Sequence, residues 1–387
     1  MPDIHFTYGG STATRTLNCS QWANLSKGMP RGKTSMAASK GTVGHHGFEK
    51  MVDKETYEFQ DELGSVVSID GNKVTIDQPL IDLVNTAVEL QEDFFEEHGI
   101  EVVHTETLFT HSDLIGGSAD TIAWSKERNL FMVGDLKTGS GHLVDAEDSD
   151  QLLFYAWLAV SHFAKDFTFD GNTRILLYIL QPVDRKAVPL DVWEVNVGDL
   201  IAFGKAFKLA VRVAESGLAD PVAGDWCQYC PAAAVCPAKV ALVNEGSRLM
   251  TDTGNIEALA RGMAIVGQVE EWCRDVRKLA HEQLEAGADV PGWKLVNKRA
   301  TRVWNDAEAI NDIFHRAKSL KMEDYMDMKL KTPPAMEKVC KAKKLDFKKY
   351  AEHVSSVSSG TTLAPADDKR EAALPLDSLA SAVAQLT

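Results

Sequence analysis

The sequence predicts an α/β protein in which a mixed central sheet is flanked by helices and followed by a helical C-terminal domain. Four short runs rich in apolar and β-branched residues have the length of buried strands. A longer apolar segment, 152–163, lies between the second and third runs and is long enough for a helix. This order of elements is typical of a sheet with a helix packed on it. The predicted strands are 102–109, 130–136, 174–180 and 192–197.

Further helices and turns are predicted around this core. Apolar residues recur at helical spacing over 78–98, and Gly99 is placed to end that helix. The remaining predictions are loops with short helices over 1–40, helices over 199–216 and 255–286, and a hairpin or extended segment over 292–304.

Composition places the chain among globular proteins. Of its 387 residues 44% are hydrophobic and 25% are charged, which excludes a wholly disordered or collagen-like protein. No apolar run approaches the roughly 20 residues that cross a bilayer, and no secretion signal is recognisable at the N-terminus, so we expect a cytoplasmic protein without membrane contact. Six cysteines in a reducing compartment favour metal ligands or buried thiols over disulfides.

Charge is unevenly distributed along a chain whose formal net charge is −15. Residues 1–50 contain six Lys and Arg against two Asp and Glu, residues 294–350 contain 15 against eight, and residues 51–150 contain five against 23. Because carboxylates repel phosphate, an acidic centre between two basic regions requires divalent cations if the substrate is a nucleic acid. The other interpretation is a solvated acidic surface.

We divide the sequence into three parts. Residues 1–245 contain the four predicted strands of the sheet. Residues 246–354 are basic and mostly helical. Residues 355–387 are rich in Ser, Ala and Pro and predict a flexible tail with a short helix at 377–386. In the second part, lysines and arginines alternate with Trp304, Phe314 and Phe347, a pattern that suits contact with a nucleic-acid backbone and stacking on bases. An ordinary helical subdomain is the alternative.

The most informative stretch ends the second predicted strand. Residues two apart in a strand share a face, so Asp135 and Lys137 point the same way while Leu136 turns to the core. If a neighbouring strand carries Asp120 alongside, two carboxylates converge, and such oxygen ligands suit Mg²⁺ or Mn²⁺. The metal would polarise a phosphoryl oxygen and activate water, and the lysine would stabilise the developing negative charge.

Two pairs of polar residues at helical spacing lie before and after this stretch. Gln151 and Tyr155 are four residues apart, on one face of the helix that follows. Upstream, His45 and Glu49 are also four apart, and an imidazole there can complete a metal site. For Glu49, a supporting role and a plain helix position both remain open.

This ordered set resembles the PD-(D/E)XK nuclease superfamily, specifically its RecB/AddB-like branch, with Ala119 in the place of the proline of the family name. The resemblance implies a catalytic lysine at Lys137 and two residues beside the site that contact DNA, Gln151 and Tyr155. It also implies a metal bound by His45, Asp120, Asp135 and the backbone carbonyl of Leu136.

The cysteines form a second motif. Cys227, Cys230 and Cys236 follow the spacing C-x2-C-x5-C, and Cys19 lies about 200 residues earlier. Four thiolates suit a [4Fe-4S] cluster or Zn²⁺. The arrangement resembles the iron–sulfur sites of AddB-type and CRISPR-associated RecB-like nucleases, which implies a [4Fe-4S] cluster that fastens the two ends of the domain together. Cys273 and Cys340 lack partner spacing and are predicted to be free thiols.

The expected function is metal-dependent exonucleolytic hydrolysis of DNA phosphodiester bonds. The layout also resembles a group of uncharacterised phage-encoded nucleases, which implies a role in phage recombination or DNA processing within the host cytoplasm and, by analogy alone, a single-strand annealing protein as partner. One alternative keeps the fold but makes it a structure-specific or nicking endonuclease. The other is a non-catalytic DNA-binding protein with a four-cysteine zinc site.

Overall fold

The structure, a computed structural model, divides the chain into two compact units, Met1–Trp272 and Cys273–Thr387. The division falls within one long helix, α8 (Ile256–Glu285). The described residues are 6–29, 34–53, 57–139, 143–183, 188–249, 255–317, 319–326, 331–343, 345–358, 361–365 and 368–371.

A five-stranded mixed sheet forms the centre of the first unit. In the order β3-β4-β5-β6-β7, all neighbours are antiparallel except β5 and β6, which are parallel. The predicted fold class is therefore confirmed. In chain order the elements before α8 are α1 (Ala13–Asn18), α2 (Trp22–Leu25), α3 (Met36–Asp53), β1 (Val66–Ile69), β2 (Asn72–Thr75), α4 (Gln78–His98), β3 (Val102–Thr110), β4 (Gly116–Ser125), β5 (Leu130–Leu136), α5 (Asp150–His162), β6 (Arg174–Leu180), β7 (Leu190–Val195), α6 (Val197–Ser216) and α7 (Pro237–Leu249).

Helices cover both faces of this sheet. Strand β5 alternates between them, so Phe131 contributes to the core formed with α5 and α6, and Met132 to the core formed with α3 and α4. Both side chains are fully buried, and burial of each stabilises the fold by about 1.5–3 kcal/mol. The strand is buried along its whole length, as expected when both faces are covered.

Helix α4 begins and ends where the sequence predicts. The Asp77 side chain accepts a hydrogen bond from the backbone N–H of Leu80 and caps the first turn. Gly99 ends the helix in the left-handed conformation, with φ of 58°, which other residues rarely adopt.

Strand β4 was not among the four predicted strands. It begins with Gly116 and Gly117, and its polar residues break the apolar run on which the other predictions depended. Long-range pairing with β3 and β5 outweighs this weak local preference, because β4 lies between two strands that are themselves well specified.

The first unit extends past the predicted boundary at residue 245. Lys239 of α7 is almost fully buried and forms an ion pair with Glu271 of α8. The indole N–H of Trp272 donates a hydrogen bond of 3.0 Å to the carbonyl oxygen of Ala234. These contacts join the first part of α8 to the cysteine-rich segment.

The second unit combines helices with two small antiparallel sheets. The helices pack around a core that includes Ile310, Phe314 and Met336, all fully buried. Its elements after α8 are β8 (Trp293–Asn297), β9 (Thr301–Trp304), α9 (Ala307–Arg316), α10 (Met322–Tyr325), α11 (Pro333–Ala342), β10 (Val354–Val357) and β11 (Thr361–Pro365).

Of the two alternatives predicted for 292–304, the structure shows the extended segment and not a hairpin, because β8 pairs with β11 and β9 pairs with β10. The same pairing shows that the first part of the predicted flexible tail, 355–387, contains regular structure. The predicted helix at 377–386 lies outside the described residues.

Within the described ranges, none of the helices combines the length and the apolar character needed to span a lipid bilayer.

Candidate functional site

Asp120 and Asp135 come together because of the register between β4 and β5. Thr121 pairs with Gly134, so the next residues along each strand, Asp120 and Asp135, lie opposite one another. Oδ2 of Asp120 accepts a hydrogen bond of 2.7 Å from the backbone N–H of Leu136. This contact fixes the Asp120 carboxylate against the end of β5.

Gly134 allows this strand to pack against β6. A Cβ atom at Gly134 would lie 2.1 Å from the ring of Tyr178, which is fully buried. The Tyr178 hydroxyl donates a hydrogen bond of 2.8 Å to Gln91 of α4, and Thr121 bonds to the same amide oxygen. A satisfied polar network therefore lies behind the two aspartates and makes their positions rigid.

Asp135, Lys137 and Gln151 form a closed network. Nζ of Lys137 lies 2.7 Å from Oδ2 of Asp135, whose side chain is only 6% exposed. The Lys137 ammonium also donates to Oε1 of Gln151 at 3.1 Å, and Nε2 of Gln151 donates to Oδ1 of Asp135 at 2.8 Å. Oδ1 of Asp135 is thus hydrogen-bonded, whereas its buried Oδ2 has the ion pair alone.

Three glycines on α3 bring His45 to the aspartates. A Cβ atom at Gly44 would lie 2.9 Å from Cγ2 of Thr138, the residue after Lys137, and one at Gly41 would lie 3.2 Å from its hydroxyl. Gly47 likewise packs against the ring of Phe59. With the helix this close, Nδ1 of His45 lies 3.3 Å from Oδ2 of Asp120.

The structure adds Glu106, a residue that the sequence analysis missed. Thr105 pairs with Thr121 and Thr107 with Ala119, so Glu106 of β3 lies across from Asp120. Its backbone has φ of 43°, an unusual value within a strand. Glu106 follows no recognisable spacing to the other site residues, and only the strand register reveals it.

The charges at this site perturb one another. Burial by itself lowers the pKa of His45, but the charge of Asp120, its hydrogen bond and the charge of Asp135 outweigh burial and raise the pKa to about 9. Burial and the charge of Asp120 raise the pKa of Glu106 to about 7. Burial also raises the pKa of Asp135, against the opposing charge of Lys137. Excess negative charge in a partly dehydrated site of this kind favours a bound cation.

Tyr155 lies beside the network on the same face of α5 as Gln151. Its ring fills the space left by two glycines, since a Cβ at Gly10 would lie 2.5 Å from it and one at Gly117 would lie 3.3 Å from it. Burial, followed by the charge of Asp135, raises the pKa of its hydroxyl. The hydroxyl therefore stays protonated and can donate a hydrogen bond.

The side chains of one group could hold a divalent cation. Ligand atoms of His45, Glu106 and Asp120 all lie within 4.8 Å of one another, and within the described ranges no other group of three or more His, Cys, Asp or Glu is so close. One imidazole nitrogen and two carboxylates suit Mn²⁺ and Mg²⁺.

All four predicted cysteine ligands line one pocket. Cys19 lies at the end of α1, and Cys227, Cys230 and Cys236 come from the loops between α6 and α7. Four thiols around one pocket could hold either a single Zn²⁺ ion or an iron–sulfur cluster.

Arg15 joins the two segments that supply these cysteines. Its Nε donates to the carbonyl oxygen of Trp226 at 3.2 Å, and its Nη2 donates to that of Gln228 at 2.9 Å. These carbonyls lie on either side of Cys227. The guanidinium also lines the pocket and lies 5.1 Å from the ring centroid of Trp22. A cation in this position compensates the charge of thiolates.

The remaining cysteines and the aromatic residues of the second unit have different surroundings. Cys340 is a buried free thiol, and Cys273 is a free thiol that is partly exposed. Phe314 is fully buried, and the ring of Trp304 packs against both Phe314 and Phe347. The expectation that Phe314 stacks on bases is therefore wrong, because the ring belongs to the core.

Comparison with protein families matches residues 5–371 to the family described as "Protein of unknown function (DUF2800)". Among solved structures, the chain is similar to the one described as "Crystal structure of SSO0001", at 18% identity and a TM-score of 0.20, with 42% of this chain and 76% of that chain covered. Because the family match spans most of the sequence, the chain belongs to the DUF2800 family.

Proposed function

We propose that the protein is a metal-dependent deoxyribonuclease that hydrolyses phosphodiester bonds as an exonuclease, in phage recombination or DNA processing. The observation that supports it is the convergence of an imidazole, three carboxylates and an ammonium group at one end of the central sheet. Preference for an exonuclease rests on the resemblance to the RecB/AddB-like branch.

We assign some of the site residues to binding the metal ion and others to interaction with the phosphate. A divalent ion held by His45 and Asp120 would polarise a phosphoryl oxygen and lower the pKa of bound water. The Lys137 ammonium, held by Asp135 and Gln151, stabilises the negative charge that develops on the phosphate. The protonated Tyr155 hydroxyl can donate to a phosphate oxygen beside it.

The charge pattern agrees with this proposal. Residues 51–150, which supply the three carboxylates, carry 23 acidic residues against five basic ones. Such a surface repels DNA unless a cation is bound, so substrate binding and metal binding are expected to depend on each other.

The cysteine pocket would carry a [4Fe-4S] cluster with a structural role. The cluster would join α1 to the segment after α6 and so close a loop of about 200 residues. In the chain-entropy model such a cross-link stabilises the folded protein by about 5 kcal/mol. Zn²⁺ is the alternative occupant, and measurement of iron and zinc in anaerobically purified protein distinguishes the two.

The test is digestion of end-labelled linear duplex DNA with Mn²⁺ or Mg²⁺, with a chelator as the blank. We expect the parent to degrade it and Lys137→Ala to lose about 100-fold or more in rate. Lys126→Ala is the matched control, because Lys126 is exposed in the turn between β4 and β5. Cleavage of closed circular DNA would favour an endonuclease. Binding without cleavage by the parent would overturn the nuclease proposal.

A further inference from the structure

Glu106 is the one carboxylate of the site that the resemblance does not assign. We propose that Glu106 is a third side-chain ligand of the ion, together with His45 and Asp120, and that Asp135 is not required to hold it. The inference deepens the proposed function, and its metal-binding part stands whether or not the protein cleaves DNA.

Distances support these three ligands. Their donor atoms already lie within 4.8 Å of one another. An ion with ligand bonds of about 2.1 Å needs adjacent donors about 3 Å apart and opposite donors about 4 Å apart. Small side-chain rotations would therefore bring all three onto one ion.

The Glu106 and Asp135 carboxylates differ in their polar contacts. Oδ1 of Asp135 accepts a hydrogen bond from Gln151, and its Oδ2 forms an ion pair with Lys137 without a hydrogen bond. In the described part of the chain, by contrast, the Glu106 carboxylate has no hydrogen bond or ion pair, and its charged neighbours include Asp120 and Glu49, which repel it, and His45, which attracts it. A half-buried carboxylate that accepts no hydrogen bond is costly, and a bound cation would supply the missing interaction.

The charge of this ligand set matches a divalent ion. Two ionised carboxylates and a neutral imidazole carry a charge of −2, so a divalent ion neutralises the group. Because one donor is nitrogen, the set favours Mn²⁺ over Mg²⁺, which prefers oxygen ligands and retains several waters. Mn²⁺ is therefore the probe for the experiment.

In this assignment Asp135 positions Lys137 and is not needed as a metal ligand. It orients Lys137 together with Gln151, which places the ammonium for the phosphate rather than for the metal. Loss of Glu106 should therefore be compensated by more metal, whereas loss of Asp135 should not.

The experiment measures Mn²⁺ binding by the full-length protein by calorimetry and by the loss of the free Mn²⁺ electron paramagnetic resonance signal, without DNA. We expect Glu106→Gln to bind at least about tenfold more weakly and Asp135→Asn to remain within about threefold of the parent. Glu49→Gln is the charge-matched control, since it removes a nearby negative charge from the helix that carries His45 and is expected to stay within about threefold. Circular dichroism and the melting temperature confirm that each variant is folded.

Two results would overturn the inference. One is a Glu106→Gln variant that binds Mn²⁺ as tightly as the parent, and the other is an Asp135→Asn variant that loses as much affinity as Glu106→Gln.

If the parent digests DNA, the rate of digestion is a second readout, because raising the Mn²⁺ concentration should restore the rate of Glu106→Gln but not that of Asp135→Asn. Binding results that hold in a protein without nuclease activity would refute the proposed function and leave the ligand assignment in place. A Glu106→Ala variant repeats the measurement if Glu106→Gln does not fold.

Discussion

The side-chain amide of Gln151 donates a hydrogen bond of 2.8 Å to Oδ1 of Asp135. The same amide accepts a hydrogen bond from Lys137, which in turn forms an ion pair with Asp135. Helix α5 and strand β5 are therefore connected through three polar side chains, two of which the sequence places 14 and 16 residues away from Gln151. The orientation of the lysine depends on a helix that follows it in the chain.

Replacement of Gln151 by leucine tests this connection. Gln151→Leu keeps the side-chain volume but removes both hydrogen bonds, so we expect DNA hydrolysis to fall by about 10- to 100-fold while the melting temperature changes little. Gln60→Leu, at an exposed position, is the control. Nuclease activity equal to that of the parent would show that Lys137 does not need Gln151 for its orientation.

His45 makes metal binding depend on pH. Asp120 raises its pKa to about 9 in the metal-free protein, so the imidazole is protonated at neutral pH and must lose its proton to bind an ion. Affinity for Mn²⁺ should therefore rise with pH up to about 9. Calorimetry at pH 7 in buffers of different ionisation enthalpy should detect the proton released per ion, and His45→Gln should release about one proton fewer.

The stability of the metal-free protein should change in the opposite direction. The folded-state pKa of His45 lies above the ordinary value of 6.5, so this group stabilises the fold fully below pH 6.5 and loses that effect as the pH rises through about 9. We expect the melting temperature to fall over this interval in the parent and to fall less in His45→Gln. Identical pH profiles for the two proteins would contradict the raised pKa.

The sequence predicts much of the fold because strong local patterns define it. Strands β5 and β6 occupy the predicted ranges, since continuous apolar runs such as Arg174–Leu180 fit only a strand buried on both faces. Strand β4 escaped prediction because its glycines and polar residues lack such a pattern. For β8 and β9 the sequence predicts a hairpin or an extended segment but does not reveal their partner strands, which lie 50 or more residues later in the chain.

The site likewise contains residues that a sequence pattern predicts and residues that only the structure reveals. The sequence selects His45, Asp120 and Lys137 because their order resembles a known pattern, and the structure places them around one point. Glu106 belongs to no such pattern, since its proximity arises from strand register and from an unusual backbone angle. The role of Arg15 is likewise invisible in the sequence, because its partners lie 211 and 213 residues away.

Arg15 offers a test of the cysteine pocket that leaves all four thiols in place. Arg15→Gln removes a cation and at least one of the two hydrogen bonds that hold the carbonyls beside Cys227. We expect the metal centre to be lost to a chelator about tenfold faster, followed by its visible absorbance or by its released metal. Arg212→Gln, on the exposed face of α6, is the control. An unchanged rate of loss would show that Arg15 does not stabilise the centre.

Gly44 tests whether the close approach of α3 positions His45. A Cβ atom there would lie 2.9 Å from Thr138 and 3.2 Å from Leu80, so Gly44→Ala must shift the helix or its neighbours, at a cost of about 1–3 kcal/mol in the free energy of unfolding. The same shift moves His45 away from Asp120, so Mn²⁺ affinity should fall with it. Gly139→Ala is the matched control beside the same threonine, because a Cβ at Gly139 meets nothing within 4 Å. Equal Mn²⁺ affinity and equal melting temperature in the two variants would show that the glycine contact does not set the position of the histidine.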